Sequence, residues 1–310
     1  MSGPVFDNLR LPAIAAPMFL VSGPDLVVEI SRSGIVGTFP ALNPRTTPML
    51  GDWIDEISER LAQEKNAAPY GINLVVHHSN SRLEADLELI VDRKVPFVIT
   101  SLGAAADVVR AVHGYGGKVF HDVINLRHAQ KAVEAGVDGI IAVCAGAGGH
   151  AGLMSPFALV PEIRKIFDGQ IALSGAISTG AQIASARLLG ADMAYLGTRF
   201  IATKEATASA GYKAMICETT AADIVYTPNI SGVAANFLRP SIEAAGLDPE
   251  NLPPRKEMDM SDERKAWKDL WSAGQGVGSI DDLPAAADLC ERLRDEYRAA
   301  MGRASSDPFL

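Results

Sequence analysis

The sequence predicts a (β/α)8 barrel, a closed ring of eight parallel strands surrounded by helices, with a mostly helical C-terminal appendage over its active face. Short apolar segments alternate with helical patterns as far as about residue 200, which is typical of repeated βα units. The chain also has 310 residues, 48% of them hydrophobic, enough for the core of such a barrel. The predicted strands are 13–18, 34–39, 70–75, 97–101, 118–123, 139–143, 171–175 and 193–197.

Two of the intervening helices have clear end signals. The helix predicted over 127–135 carries apolar residues at helical spacing and stops at Gly136, since glycine favours the C-terminal cap. The helix predicted over 178–189 begins with Ser178 or Thr179 as its N-cap, because either hydroxyl can accept a hydrogen bond from the first turn. A strand follows each helix directly, so both helices belong to compact βαβ units.

The character of the sequence changes after residue 202. We therefore assign residues 1–202 to the barrel and residues 203–310 to the appendage, which we expect to pack on the barrel and to help close the site. Within the appendage an apolar, turn-rich segment covers 224–238, a charged, proline-containing run covers 248–268, and an amphipathic helix covers 283–301.

Composition and charge narrow the classes of function. The formal net charge of −9 gives no general attraction for nucleic acid or for an anionic membrane surface. The sequence shows no apolar run of about 18 residues and no secretion signal, so we expect a cytoplasmic protein that acts on a small molecule. Cys144, Cys217 and Cys290 are far apart and the histidines have no metal-ligand spacing, so we expect neither a disulfide framework nor a metal.

Two glycine-containing segments flank the last βα unit. Segment 173–180 follows the seventh predicted strand, and segment 195–200 ends the eighth. In barrels of this kind the loops after the last two strands present backbone N–H groups and a helix N-terminus, which together bind a phosphate without a lysine. We therefore expect a phosphorylated cofactor or substrate at these loops.

A glycine-rich run at 145–152 directly follows the sixth predicted strand and contains His150. A loop that leaves a buried strand is a usual place for chemistry, so this histidine can face a ligand; the alternative is a tight turn with an incidental histidine. Met18 ends the first predicted strand and Asn73 lies in the third, so both can project to the same mouth. The Asn73 amide suits the edge of a heterocycle or a bond to a neighbouring loop, and Met18 also suits plain core packing.

Together these motifs resemble the FMN-dependent nitronate monooxygenases, formerly called 2-nitropropane dioxygenases, and their relatives, the flavin-dependent enoyl-ACP reductases and NAD(P)H:quinone reductases. The resemblance covers most of the chain and rests on motifs in the same order and spacing. They are Ala16-Pro17-Met18, Gly71-Ile72-Asn73-Leu74, Ala147-Gly148-Gly149-His150-Ala151-Gly152, Ser174-Gly175-Ala176-Ile177, Leu196-Gly197-Thr198-Arg199-Phe200 and Ser272-Ala273-Gly274-Gln275-Gly276-Val277-Gly278.

The resemblance implies an FMN across the barrel mouth. Its phosphate would lie on backbone amides after the last two strands, two side chains would border its ring, and two residues of the appendage would fold back to it. The phosphate would lie on the amides of Gly175, Ala176, Gly197 and Thr198. Met18 and Asn73 would border the ring, and Gln275 and Gly276 would fold back to the flavin. By the same resemblance His150 faces the substrate as a base or as an electrostatic partner.

The largest departure from the family lies in the fifth predicted strand. Many relatives have a lysine after the histidine of this strand, where this chain has Asp122 after His121. A carboxylate would not stabilise a reduced, anionic ring as an ammonium does, and it would repel an anionic substrate. We therefore expect His121 and Asp122 to tune the substrate or the flavin. A milder departure is Ala176, where relatives often have glycine.

Four hypotheses of function follow. The leading one is an FMN-dependent oxidoreductase that oxidises alkyl nitronates with O2 to carbonyl compounds and nitrite. The second is an FMN enzyme that uses NAD(P)H to reduce a quinone or an enoyl thioester. The third is a flavin-free barrel that binds a phosphorylated metabolite with Cys144 as nucleophile, although a cysteine directly behind an apolar strand favours a buried side chain. The fourth is a non-catalytic flavin or phosphate sensor. The sequence leaves the physiological substrate and the oligomeric state open.

Overall fold

The computed structural model describes residues 4–7, 9–103, 105–254 and 270–310. Eight parallel strands close into a barrel, each bonded to the next along the chain and the last bonded to the first. They are β1 (Ala13–Ala15), β2 (Val36–Pro40), β3 (Tyr70–Val75), β4 (Phe97–Ser101), β5 (Lys118–Val123), β6 (Gly139–Val143), β8 (Gln170–Ser174) and β9 (Met193–Leu196); a short strand outside the barrel, β7 (Gly149–His150), lies between β6 and β8. The predicted (β/α)8 barrel is confirmed.

The position at which each strand ends determines which residues lie in the loops at the barrel mouth, where a site can form. Strands β3 to β6 have the predicted bounds, whereas β1 ends at Ala15, before the predicted end at residue 18. The chain turns there because the N–H groups of Val21 and Ser22 both bond to the carbonyl oxygen of Met18, at 3.2 and 3.0 Å. Met18 therefore belongs to the loop after β1, at the carboxyl end of the barrel.

Helices that connect the barrel strands form the outer layer, and two of them test the predicted end signals. Among the described residues the helices are α1 (Pro24–Arg32), α2 (Thr47–Ala62), α3 (Leu83–Asp92), α4 (Ala106–His113), α5 (Leu126–Glu134), α6 (Pro156–Arg164), α7 (Gly180–Leu188), α8 (Thr198–Ile201), α9 (Ala210–Glu218), α10 (Arg239–Ala244) and α11 (Ala286–Ser305). At the start of α7 the Thr179 hydroxyl accepts from the Gln182 N–H at 3.3 Å, and the Gln182 side chain accepts from the Thr179 N–H at 3.0 Å. This reciprocal cap makes Thr179, not Ser178, the N-cap. After α5, Gly136 has a φ of +80°, which permits the predicted turn.

Aromatic side chains fill the amino-terminal end of the barrel interior. Phe97 of β4 and Phe120 of β5 are fully buried, and their rings pack edge to face with centroids 5.0 Å apart. Phe6 packs against Phe97 at 5.3 Å and closes this end. Because side chains alternate along a strand, later residues on the same faces point into the barrel at its carboxyl end. That end is where a site can form.

The appendage adds a small antiparallel sheet to its helices. Strands β10 (Ile224–Thr227) and β11 (Ala235–Leu238) form a hairpin, and β11 also pairs with β7, which places Ala235 opposite His150. The predicted apolar segment 224–238 is therefore a hairpin that lies at the barrel mouth, where Tyr226 and the turn line a cavity.

Helix α11 is the predicted terminal helix, and it packs against α7 and α1 on the outside of the barrel. It runs over Ala286–Ser305, against the predicted 283–301. Of the predicted charged run 248–268, the part after residue 254 lies outside the described residues. The division of the chain after residue 202 stays a prediction. Among the helices described, none has both the length and the apolar character that crossing a bilayer requires.

Candidate active site at the carboxyl end of the barrel

A cavity of about 1040 Å³ opens at the carboxyl end of the barrel. Its walls come from the loops after β1 and β6, from the ends of β3, β4, β5 and β9, and from the hairpin. The predicted site residues that line it are Met18, Asn73, His121, Asp122, His150, Gly197 and Thr198. The structure thus brings together residues from almost the whole length of the barrel sequence.

A smaller cleft of about 20 Å³ adjoins this cavity, and we call it the glycine cleft. Its walls include Gly146, Gly148, Gly175, Ala176, Ser178, Tyr195, Gly197, Thr198, Gly274 and Gly276. Gly175 and Ala176 have φ angles of 140° and 53°, so the chain turns sharply after β8. The Ala176 N–H donates to the Gly146 carbonyl oxygen at 3.2 Å. This predicted phosphate donor is therefore already engaged within the protein.

The glycine cleft is closed by backbone that approaches closely because side chains are absent. A Cβ atom on Gly274 would lie 2.5 Å from the Gly146 carbonyl oxygen, and one on Gly276 would lie 2.6 Å from the Ser178 hydroxyl. The Gln275 N–H donates to the Gly146 carbonyl oxygen at 2.8 Å. Gly276 of the predicted pair lines the cleft, and the Gln275 side chain is exposed but lies beside it, since a Cβ atom on Gly146 would lie 2.9 Å from Gln275 Oε1.

The N–H groups at the start of α7 are also engaged. Those of Ser178 and Thr179 donate to the Gln182 side chain at 2.7 and 3.0 Å. That of Gly180 donates to the Glu296 carboxylate at 2.6 Å. The helix N-terminus that the sequence offers to a phosphate is therefore capped by the protein itself.

The Ser178 hydroxyl is the polar group that the glycine cleft leaves unsatisfied. This side chain is 3% exposed, and its Oγ has no hydrogen-bond partner among the described residues. A buried hydroxyl without a partner is costly, so a ligand acceptor belongs beside it. Helix α8 begins at the same cleft with Thr198, and the first N–H groups of a helix have no acceptor inside the helix. The cleft therefore fits a phosphate, held in part by a residue that the sequence indicates only as a possible cap.

Three side chains form a hydrogen-bonded row across β3, β4 and β5, which we call the polar wall. The Asn73 side-chain N–H donates to Ser101 Oγ at 2.7 Å, and Ser101 Oγ donates to Asp122 Oδ2 at 2.6 Å. The same Asn73 nitrogen lies 3.4 Å from the Ile99 carbonyl oxygen. Asn73 is thus bonded to the neighbouring strand while it lines the cavity. The sequence analysis does not identify Ser101, because a single serine at the end of a strand is not part of any recognisable motif.

His121 and Asp122 point to opposite faces of β5. Asp122 belongs to the polar wall, where burial raises the pKa of its carboxyl to about 6 against the opposing effect of the Ser101 hydrogen bond. His121 Nδ1 lies 2.8 Å from Thr100 Oγ1, and burial, with a contribution from His128 on α5, lowers the pKa of its imidazole to about 4. Because strand side chains alternate, the two residues have different surroundings, and His121 lines the part of the cavity next to α5.

His150 is positioned by strand pairing. β7 pairs with β11 opposite Ala235, and the neighbouring Gly149 N–H donates to Ser272 Oγ at 2.7 Å. The half-buried imidazole lines the main cavity, and desolvation lowers its pKa to about 4. The imidazole is therefore neutral at pH 7.

Three tyrosines line the cavity, Tyr195, Tyr212 and Tyr226, and none of them is among the site residues that the sequence predicts. Tyr195 of β9 is buried, and burial, with a contribution from the charge of Asp122, raises the pKa of its phenol well above the usual range. Strand alternation within segment 195–200 could have indicated it. The Tyr226 hydroxyl donates to the Ala151 carbonyl oxygen at 3.1 Å and ties the hairpin to the loop that carries His150. No local sequence signal indicates that contact.

Cys144 lacks the properties of a nucleophile. It is fully buried, and burial raises the pKa of its thiol to about 12. Its reactive thiolate is therefore scarce at neutral pH, which removes the nucleophile of the flavin-free hypothesis. Among the described residues, no group of three or more His, Cys, Asp or Glu side chains is arranged to hold a metal ion.

The fold and the site define a (β/α)8 barrel enzyme whose cavity takes a small molecule beside a cleft that fits a phosphorylated cofactor. The model of the nitronate monooxygenase family matches residues 46–296. The chain belongs to this family. It is accordingly an oxidoreductase, and its cofactor is a flavin.

Two relatives agree with this membership, and a solved structure shares the fold. A nitronate monooxygenase of Paraburkholderia phytofirmans is 30% identical over 239 residues, which are 70% of this chain and 65% of the relative. One of Neurospora crassa is 25% identical over a match that covers 94% of this chain and 91% of the relative. The structure of FabK from Thermotoga maritima superposes with a TM-score of 0.82 at 23% identity, over 99% of each chain, and shares the fold.

Proposed function

We propose that this chain binds FMN and oxidises alkyl nitronates with O2, giving a carbonyl compound and nitrite. The observation that carries the proposal is the neutral imidazole of His150, held by strand pairing in a cavity that adjoins the glycine cleft. The names of the Paraburkholderia and Neurospora relatives support this choice of substrate.

The glycine cleft supports a mononucleotide as the form of the flavin. Its close backbone walls suit one terminal phosphate group. The Ser178 hydroxyl and the N–H groups of Gly197 and Thr198 would hold that phosphate, and Met18 and Asn73 would border the ring. When bound, FMN supplies the electron acceptor, which no side chain can provide.

His150 suits the removal of a proton from the carbon beside a nitro group. Because its imidazole is neutral at pH 7, it can accept a proton, and it carries no charge that would attract a nitronate. Of the two roles that the resemblance leaves open, we therefore propose the base. A neutral nitroalkane would enter the cavity, lose a proton to His150 and remain there as the nitronate.

A second candidate function is the NAD(P)H-dependent reduction of a quinone or an enoyl thioester. The observation in its favour is the extent of the cavity, which continues past the polar wall to Lys131 on α5. A volume of about 1040 Å³ is at the upper end for small-molecule sites, so a second ligand fits beside a flavin. Lys131 at the rim suits a phosphate of such a ligand.

The visible spectrum of the holoenzyme under anaerobic conditions separates the two functions. Loss of the flavin absorbance on adding propyl-1-nitronate, with no change on adding NADH or NADPH, supports nitronate oxidation. The reverse pattern supports the reductase. Butyrate is the matched control, since it resembles the nitronate in shape and charge and must leave the flavin oxidised. A flavin that responds to none of the three donors would contradict both functions.

A further inference from the structure

The Asp122 carboxyl has one oxygen with nothing to bond to. Its Oδ2 accepts from Ser101 at 2.6 Å, whereas its Oδ1 is buried and has no hydrogen-bond partner among the described residues. The side chain is part of the cavity wall. Because a buried, ionised oxygen without a donor is costly, either a proton or a donor on a ligand belongs at Oδ1.

The direction of the hydrogen bonds in the polar wall decides which oxygen takes a proton. The Asn73 side-chain nitrogen can only donate, and its contact of 3.4 Å with the Ile99 carbonyl oxygen fixes the orientation of the amide. Ser101 Oγ therefore accepts from Asn73 and must point its own proton at Asp122 Oδ2. Oδ2 remains an acceptor in either state of the carboxyl, so an added proton sits on Oδ1.

The groups that face Asp122 leave its negative charge without compensation. Its pKa is shifted by burial and by Ser101, with no contribution from a charged group among the described residues. Tyr195 of β9 remains a neutral phenol, and His150 in the same cavity is neutral at pH 7. His121 lies on the other face of β5 and is neutral too. The charged or titratable side chains that α5 adds to the cavity wall, His128, Lys131 and Glu134, contribute nothing to the pKa shift of Asp122. An anion beside Asp122 therefore meets either a second negative charge or a protonated carboxyl.

We propose that the cavity binds an organic anion, a nitronate or a carboxylate, together with one proton, which Asp122 carries on Oδ1 and donates in a hydrogen bond to an oxygen of the anion. The proton comes from solvent, and no covalent bond other than O–H forms. The inference rests on the proposed function only for the identity of the natural anion. Asp122 then determines specificity, because its protonation decides whether an anion is admitted.

The pH dependence of anion binding follows directly. In the ligand-free cavity the pKa of Asp122 is about 6, and the charge of a bound anion raises it further. Above pH 6 the free carboxyl must first take up a proton, so each further pH unit weakens binding by about tenfold. Between pH 6 and pH 8 the expected loss of affinity is roughly 50-fold.

Calorimetric titration of the oxidised holoenzyme with butyrate tests the proposal, since butyrate stays ionised above pH 6 and needs no turnover. Titrations at pH 6 and pH 8, in buffers with different heats of ionisation, give both the affinity and the number of protons taken up. We expect about half a proton per butyrate at pH 6 and close to one at pH 8. Glu134→Gln is the matched control, because Glu134 is an exposed carboxylate in the wall of the same cavity and should leave both numbers unchanged.

Two variants locate the proton. Asp122→Asn keeps an acceptor for Ser101 and places a permanent N–H donor near Oδ1, so it should abolish both the proton uptake and the 50-fold pH dependence while binding butyrate tightly at pH 8. Ser101→Ala removes the hydrogen bond that lowers the pKa of Asp122, so the loss of affinity should move to higher pH. A merely structural role for Ser101 would weaken binding without moving that midpoint.

Three results would overturn the inference. They are butyrate binding without proton uptake in the parent protein, proton uptake that survives in Asp122→Asn, and no butyrate binding at either pH. Failure of the proposed function has a different signature. A holoenzyme that takes up a proton with butyrate but is not reduced by propyl-1-nitronate supports the role of Asp122 and contradicts nitronate oxidation.

Discussion

The glycine cleft and the polar wall belong to one site but are built in opposite ways. In the cleft the backbone is held by its own hydrogen bonds and by contacts that leave no room for a Cβ atom at Gly274, and the Ser178 hydroxyl is left for a ligand. In the polar wall three side chains from adjacent strands share a row of hydrogen bonds that ends in the unpartnered oxygen of Asp122. Cofactor binding therefore depends on the shape of the glycine cleft, whereas substrate binding depends on whether Asp122 is protonated.

The largest effect should come from filling the glycine cleft. In Gly274→Ala the new Cβ would lie 2.5 Å from the Gly146 carbonyl oxygen and 2.8 Å from the Gly148 nitrogen, and because both are backbone atoms the segment must move away. We expect FMN binding to weaken by at least about 100-fold, which corresponds to roughly 3 kcal/mol. Flavin fluorescence titration of the apoprotein measures this.

Gly278→Ala is the matched control for that substitution. It lies in the same glycine-containing motif, but its Cβ would meet its nearest atom at 3.6 Å, an ordinary contact. It should bind FMN like the parent. If Gly274→Ala retained full flavin occupancy, the idea that cofactor binding depends on the shape of the glycine cleft would be wrong.

The next largest effect should come from the imidazole of His150, which lines the same cavity as the polar wall. We expect His150→Ala to keep FMN and to lower turnover of a neutral nitroalkane at least about tenfold, the lower range for loss of a general base. Because the pKa of His150 is about 4, the parent's rate that depends on this base should be flat above pH 5 and fall below pH 4. Steady-state rates with nitroethane measure both effects.

A preformed nitronate provides the control within the same variant. It has already lost the proton, so His150→Ala should oxidise ethyl nitronate much closer to the parent rate. Equal losses with nitroethane and with its nitronate would exclude the base and leave a role in binding. His128→Gln, at an exposed histidine in the same cavity wall, should change neither rate.

The barrel could be predicted because its signals are local. Strands β3 to β6 have the predicted bounds, since each is a short apolar segment between a helix end and a helix start. The hairpin β10–β11 could not be predicted in the same way, because its partner β7 has two residues and lies far away in the chain. A pairing of that length depends on tertiary contacts, which periodicity does not show.

In the site, too, features with a local sequence signal could be predicted, and features that depend on tertiary contacts could not. Met18, Asn73, Gly197 and Thr198 line the cavity as expected, because residues at the carboxyl ends of parallel strands meet at one mouth. The motifs did not show that the N–H groups of Ala176 and Gln275 are already used, both as donors to the Gly146 carbonyl oxygen. Those facts depend on hydrogen bonds between distant segments, which no single motif contains.

A smaller effect should come from the hydroxyl that the cleft leaves unpaired. Ser178→Ala should weaken FMN binding roughly tenfold, the lower range for a hydrogen bond to a charged group. In the apoprotein the same change removes a buried group without a partner, so stability should stay equal or rise. Ser185→Ala, an exposed serine on α7, is the control for both measurements. Unchanged FMN affinity in Ser178→Ala would remove the hydroxyl from the phosphate site.

The smallest effect concerns the stability of the polar wall without any ligand. The pKa of Asp122 is about 6 in the folded chain against an ordinary value of 3.8, so its ionised form favours unfolding. Its contribution to stability is fully present below pH 3.8 and is lost as the pH rises through 6. Asp122→Asn should therefore raise the free energy of unfolding of the apoprotein by about 1 to 2 kcal/mol at pH 8. That is less than the roughly 3 kcal/mol of a fully buried carboxyl with the same pKa, and urea denaturation measures it.

Asp138, which is hydrogen-bonded to the start of β5, has its pKa shifted in the opposite direction to that of Asp122. Burial would raise its pKa, but hydrogen bonds from Lys118, the Val119 N–H and His113 outweigh burial and lower it. Its contribution to stability is therefore present above its ordinary pKa and is lost as the pH falls through the lowered value. Asp138→Asn should destabilise the protein at pH 8, where Asp122→Asn stabilises it. The Asp122→Asn effect should shrink as the pH falls from 6 toward 4, whereas the Asp138→Asn effect should persist at pH 4 and shrink only below the ordinary pKa of 3.8. If the two variants shifted stability in the same direction at pH 8, the Asp122 carboxylate would have to be compensated in the folded chain, and the cavity would then admit an anion without taking up a proton.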